Sequence, residues 1–281
     1  MVLFESIFAS LEAEETFHHQ LVMGVFYICP VIFFVLHYVI AAPWGKTFQT
    51  LLGPTIPAPI GWCLFEIPNL LWAGLCCYDA FSRDKLTTAN CSLLALFVGH
   101  YINRALIYPL QLNAHSKPLP IEVVLIAHFF TQINGYIQSR AILQFQTYPD
   151  NYLQHPQFWT GVVLFLLGVA INWQSDHILR NLRKPPPTPT TSTATTATQQ
   201  TKSHYVIPHG GFFRYVSAPH YMGEILEWTG FAIATQSLAA WSFVLFTLIN
   251  LVPRGVAHHQ WYLQNFKDYP LERKAVIPFV W

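Results

Sequence analysis

Glu66 is a carboxylate in the middle of an apolar run, W-C-L-F-E-I-P-N. A charged carboxylate at the centre of a bilayer costs about 2.5–3.5 kcal/mol on insertion scales, so Glu66 is expected to face a cavity and a partner. Pro68, two residues on, loosens the helix and frees backbone groups that other polar atoms can satisfy. A later apolar run holds H-Y-I-N-R, His100 to Arg104, with Tyr108 beyond. A Tyr of this segment beside a buried, protonated acid would give two hydrogen-bond donors able to polarise a carbonyl. The plainer readings are a structural hydrogen bond for Glu66, and an interfacial Tyr with an Arg that snorkels to the headgroups.

Three further sets of polar residues recur at helical spacing. Gln132, Asn134, Gly135 and Gln138 interrupt one apolar run; Asn134 and Gln138, four apart, share a face, and interhelical hydrogen bonding is the simplest account. In N-W-Q-S-D-H-I-L-R-N-L-R-K, Asn172, Asp176, Arg180 and Arg183 share a face. That face is either a solvated helix end or a source of donors for phosphates and an acceptor for a ribose or amide. Near the end, R-G-V-A-H-H-Q-W-Y-L aligns Arg254, His258 and Tyr262. No metal is expected, because His258 and His259 are adjacent and no third ligand stands at helical spacing. The polar stretch Tyr205–Trp228 contains I-P-H-G-G, whose Gly pair lets backbone approach a ligand. It is no Rossmann fingerprint: no G-x-G-x-x-G follows a strand, and strands are not expected at all.

These residues must be positioned by membrane helices. The 281 residues are 53% hydrophobic and only 10% charged, where soluble chains carry about 25% charge. A net charge of +1 without a basic stripe excludes nucleic acid as a partner. Five Cys lie in or beside apolar runs without metal spacing and read as buried free thiols. The acidic N-terminus, with Glu5, Glu12, Glu14 and Glu15, is not that of a cleavable signal. Apolar runs of about the 20 residues a bilayer requires fall at Leu21–Ala42, Ile60–Phe81, Thr87–Leu112, Ile121–Phe145 and Phe158–Ile178. Tyr221–Val252 fits one tilted helix or two shorter ones, with His258–Phe266 as an extension.

Six or seven spans result, and seven is preferred. With the N-terminus outside, that count puts most Lys and Arg inside, leaving Arg83, Lys85 and Arg140 outside, as the positive-inside rule requires. The expected fold is therefore all-α and polytopic, with seven transmembrane helices, a lumenal N-terminus and a cytosolic C-terminus. Its divisions are a lumenal 1–20, helices one to five over 21–184, a disordered Pro/Thr-rich cytosolic loop over 185–203, and a C-terminal half over 204–281.

Together these residues resemble the steroid 5α-reductase family. The likeness is carried by F-E-I-P, H-Y-I-N-R-A-L-I-Y-P-L, N-W-Q-S-D-H-I-L-R-N-L-R-K, I-P-H-G-G-F-F-R-Y-V-S-A-P-H-Y-M-G-E-I-L-E-W and the terminal H-H-Q-W-Y-L-Q-N-F-K-D-Y-P-L-E-R-K-A-V-I-P-F-V-W. It extends from about Trp44 onward. The resemblance implies an endoplasmic-reticulum enzyme that uses NADPH to reduce the C4–C5 double bond of a 3-oxo-Δ4-steroid. Glu66 and Tyr101 would hold the C3 carbonyl, and Trp62 would line the steroid cavity. Cofactor contacts would fall on Asn172, Asp176, Arg180, Arg183, His220, Glu224, Arg254, His258 and Tyr262. His220 stands where steroid reductases usually carry Asn and resembles the polyprenol-reductase branch. Steroid and membrane lipids are the expected partners of a monomeric chain. The alternatives are a polyprenal or enoyl-lipid reductase of the same superfamily, a methyltransferase using S-adenosylmethionine, and a non-catalytic sterol-binding or transport protein.

Overall fold

The structure is a computed structural model that describes Phe4 and residues 7–35, 53–112, 116–182 and 206–279. Arg183, the 185–203 loop and residues 36–42 of the first apolar run lie outside the described residues.

Among the described residues seven long helical segments form: α1 (Leu11–Phe34), α2 (Ala58–Ser82), α3 (Thr88–Gln111), α4 (Ile121–Arg140), α5 (Pro156–Leu182), α6 (Pro219–Thr235) and α7 (Leu238–Asn265). Five of them, α1, α2, α3, α5 and α7, are long and apolar enough to cross a membrane. This is the pattern of a multi-pass membrane protein. The other two are the more polar or shorter ones: α4 carries Asn134, Gln138 and Arg140 inward, and α6 has 17 residues.

Local sequence sets the helix ends. Ser10 caps α1 by accepting from Ala13 N at 3.1 Å. Thr87 and Asn90 form a reciprocal capping box on α3, satisfying donors that the first turn leaves orphaned. The long apolar run after Tyr221 resolves into two helices. Gln236 takes a left-handed φ of 51° that ends α6, and Ser237 caps α7 three residues from Ala240. The helix α7 then runs through the His258 segment to Asn265. Two departures from expectation are small pieces of extended pairing: β1 (Thr55–Ile56) with β2 (Leu119–Pro120), and a bridge between Val216 and Lys274.

Close helix contacts form where side chains are smallest, as in bundles that lack a hydrophobic drive between apolar helices. Among the described residues the α5–α6 contact is the most extensive and α2–α4 the next. On α6, a Cβ at Gly223 would lie 2.7 Å from Asn172 N and 2.8 Å from Gly168 O. At the other crossing, a Cβ on Gly135 would lie 2.9 Å from Asn69 Cα.

Pro68 behaves as its chemistry demands. Without an N–H it cannot serve the carbonyl of Leu64 one turn earlier; His128 Nδ1 of α4 donates to that carbonyl at 2.8 Å. The next carbonyl, of Phe65, accepts from Thr131 Oγ1 at 2.5 Å.

Charged residues of segments expected on the outer side pack inside the bundle. Helix α1 begins at Leu11, ten positions before the apolar run, and carries Glu14 and His18 into the bundle as buried residues. Arg140, expected in an outer segment, is completely buried. It donates from Nε and Nη2 to the two carboxylate oxygens of Glu14 at 2.6 Å each, and from Nη1 to Asp79 Oδ2 at 2.9 Å. Of the five free Cys, Cys29 and Cys76 are buried and Cys91 is exposed.

Candidate active site

Helices α2, α3, α4, α5 and α6 converge on one polar region. Tyr101 is buried on α3, packed between Phe97 and Trp228. Among the charged groups around it, Glu66 bears most strongly on its hydroxyl. The carboxyl of Glu66 is in turn within electrostatic reach of Arg104, His100 and Glu224.

The backbone of α3 changes register immediately after Tyr101. Residues Asn103–Ile107 form a π-helical turn, an insertion frequent at functional sites. Arg104 lies in that turn and does not snorkel. Its Nη1 is 3.8 Å from Asp176 Oδ2 of α5, and its Nη2 is 3.7 Å from Glu224 Oε2 of α6. Its guanidinium lies 5.0 Å from the Trp62 ring centroid and 4.9 Å from that of Tyr108, within cation–π range. The ion-pair separations exceed hydrogen-bond lengths, so the charges neutralise one another without locking the side chains. Trp62, expected against substrate, thus borders Arg104 and Tyr108.

The residues expected around a cofactor fall into four groups. Asn172, Asp176, His220 and Glu224 come together where α5 meets α6: Asn172 Nδ2 donates to His220 O at 3.2 Å and approaches Glu224 Oε2 at 3.5 Å. Arg180, one turn below Asp176, donates to Gln111 Oε1 at the end of α3. Arg254 and His258 lie on α7; Arg254 Nη2 donates to Asn250 Oδ1 at 3.3 Å, and His258 packs on Tyr221 at 5.6 Å. Tyr262 lies apart, stacked on Tyr269 at 5.0 Å in a small cluster with Ile207.

The Gly pair of I-P-H-G-G lies elsewhere again. Gly210 and Gly211 have φ of 91° and 49°, conformations that L side chains rarely adopt. They open on a cavity of about 490 Å³ lined by His209, Arg214 and Arg273, which none of the substrate or cofactor candidates lines.

Several residues of this region carried no substrate or cofactor assignment in the sequence. Arg104 is one. His100 Nδ1 lies 2.6 Å from Glu227 Oε1, both buried. Asn69 and Asn134 join Tyr101 to α2: Asn134 Nδ2 donates to Tyr101 Oη at 3.2 Å and to Asn69 Oδ1 at 3.1 Å. The C-terminal tail straps the start of α6, with Ser217 N donating to Lys274 O at 2.8 Å and Ala218 N to Ala275 O at 3.1 Å. Polarity inside an apolar run was the signal for all but the strap, which depends on residues more than 50 positions apart.

A membrane helix bundle that gathers an acid, a Tyr and a cation suits either a transport path or a site for chemistry. Comparison with known proteins gives the family. Residues 117–281 match the profile of the 3-oxo-5-alpha-steroid 4-dehydrogenase family. The chain is 39% identical over 252 residues to the 3-oxo-5-alpha-steroid 4-dehydrogenase 1 of Bos taurus, covering 89% of this chain and 92% of that one. It is 42% identical over 226 residues to the corresponding protein of Homo sapiens, covering 80% and 81%. Against steroid 5-alpha-reductase DET2 of Arabidopsis thaliana it is 37% identical over 279 residues, covering 96% and 98%. The chain belongs to the steroid 5α-reductase family, oxidoreductases acting on CH–CH groups.

Proposed function

We propose that this chain reduces the C4–C5 double bond of a 3-oxo-Δ4-steroid to the 5α product, using NADPH, as a seven-span protein of the endoplasmic reticulum membrane. The observation that carries this reading is the convergence of a buried Tyr101 with the partly buried Glu66 and Arg104 in a chain of this family.

The chemistry needs charge stabilised at one oxygen. Tyr101, and Glu66 when protonated, donate to the C3 carbonyl oxygen, whose negative charge grows as the enone becomes an enolate. Donors fixed in a water-poor site favour that charge more than the neutral carbonyl, which is the condition for lowering the barrier. When bound, NADPH supplies the hydride that C5 accepts; a proton delivered to C4 completes saturation and restores the ketone. Asn172, Asp176, Arg180, Arg183, His220, Glu224, Arg254, His258 and Tyr262 would hold the cofactor, and Trp62 would border the steroid. The donor set fits both ligands: Trp62 Nε1, Trp228 Nε1 and Arg104 Nε are buried N–H groups with no acceptor among the described residues. Buried donors are normally satisfied, and a carbonyl, amide or phosphate oxygen would satisfy them. The cationic Arg180 and Arg254 suit an anionic cofactor reached from the cytosol, in keeping with the positive-inside orientation.

The test is steroid-dependent NADPH oxidation by membranes containing the full chain, with product stereochemistry and Glu66→Gln and Tyr101→Phe controls. Turnover to a 5α-steroid that falls steeply, to a measurable residue, in both variants supports the reading. Full activity in either variant, or no turnover on any 4-ene-3-oxosteroid, refutes it.

A further inference from the structure

A chain of three buried amides ends on the hydroxyl of Tyr101, and its direction is set from both ends. At one end Gln138 Nε2 lies 2.8 Å from the backbone carbonyl of Ala239 on α7. At the other, Asn69 Nδ2 lies 3.3 Å from the backbone carbonyl of Glu66. A carbonyl only accepts, so each of these amides must present its nitrogen there. Gln138 Nε2 also reaches Asn134 Oδ1 at 3.3 Å, which leaves the nitrogen of Asn134 facing the other way. That nitrogen meets Asn69 Oδ1 at 3.1 Å and Tyr101 Oη at 3.2 Å. Reversing Asn134 would set oxygen against oxygen at Asn69 and nitrogen against nitrogen at Gln138. All three amides are at most 1% exposed, so water cannot rescue a reversed arrangement and the cost of one is high.

We propose that Asn134, its polarity fixed by Gln138 and Asn69, is a positioning residue that makes the Tyr101 oxygen an acceptor and so reserves the Tyr101 proton for the substrate carbonyl. This rests on the assignment of Tyr101 to the carbonyl given above. A hydroxyl rotor chooses among its acceptors. Among the described residues the one hydrogen bond of Tyr101 Oη is the one it accepts from Asn134, so its O–H has no acceptor among them. Donation into the phenol oxygen also polarises its O–H and makes it the stronger donor. The contribution is to the transition state: the proton is already aimed when the enolate charge forms.

The experiment uses the full chain in detergent, as wild type, Asn134→Ala, Tyr101→Phe and the double variant, with Asn134→Asp as a polarity reversal. Two readouts are taken: kcat and KM for a 4-ene-3-oxosteroid with NADPH, and the ultraviolet enone band of that steroid bound without cofactor, which a donated hydrogen bond shifts to the red. The loss of one aimed hydrogen bond should lower kcat about tenfold in Asn134→Ala with little change in KM, and should cost nothing further in the Tyr101→Phe background. The red shift should shrink in Asn134→Ala, and Asn134→Asp, which competes for the Tyr proton, should lose it. Unchanged kcat, or losses that multiply in the double variant, would overturn the assignment. If the wild type binds steroid but does not turn it over, the functional reading fails, and the band shift alone decides the role of Asn134: an equal shift in wild type and Asn134→Ala overturns it. No steroid binding by the wild type overturns both. If Asn134→Ala does not fold, Gln138→Leu, which removes the donor that orients Asn134, is judged by the same criteria.

Discussion

His100 Nδ1 and Glu227 Oε1 lie 2.6 Å apart, side chains 6% and 2% exposed, and join α3 to α6 beside the candidate site. The pair sits against Trp228, whose ring is 4.5 Å from that of His100. Glu227→Ala would leave a buried imidazole nitrogen without a partner, at a cost of about 1–3 kcal/mol. Glu227→Gln keeps a neutral acceptor and should retain most of the stability. Thermal unfolding of the two variants in detergent checks this, and equal melting points would show that the contact contributes nothing.

Arg140 is the larger commitment. It pairs with Glu14 and Asp79 at once, tying α1, α2 and α4 together. Removing one member of a buried ionic set costs about 3–5 kcal/mol because the remaining charges stay buried and uncompensated. Arg140→Met should therefore fail to accumulate as a monodisperse species on gel filtration. Arg140→Lys should rescue poorly, since a point charge cannot reproduce a fork that reaches two carboxylates.

Gly223 tests the α5–α6 crossing. A Cβ there would stand 2.7 Å from Asn172 N and 2.8 Å from Gly168 O, so Gly223→Ala must push the helices apart. Asn172 and Glu224 ride on that contact. The expected result is a raised KM for NADPH, about tenfold, with steroid KM less affected, because a small displacement of positioned contacts is costly. Equal affinity for NADPH in variant and wild type would contradict it.

The Pro68 repair offers a compensating pair. His128→Leu removes the donor to the Leu64 carbonyl and should lower stability by about 1–2 kcal/mol. Pro68→Ala restores a backbone N–H one turn away, so the double variant should lose less than His128→Leu alone. Melting temperatures of the single and double variants decide it; purely additive losses would remove His128 from this role.

Much of the architecture was legible in the chain itself. Apolar runs mark the helices, because the length and composition of a span are local properties. Glu66 was conspicuous for its cost in lipid, and the Asn134–Gln138 pair for its four-residue spacing. Family membership was readable from contiguous motifs such as N-W-Q-S-D-H and K-A-V-I-P-F-V, which are also local.

The tertiary structure decided which polar residues meet. An Arg in an apolar run has two outcomes, reaching for the headgroups or pairing inside, and its own neighbours do not choose between them. Arg104 turns inward because a π-helical turn and two carboxylates on α5 and α6 receive it. Arg140 turns inward because Glu14, 126 positions away, is carried to it by α1. The direction of the hydrogen bond at Tyr101 depends on carbonyls of Glu66 and Ala239, on two other helices. Periodicity states which residues share a face; only packing states what that face meets.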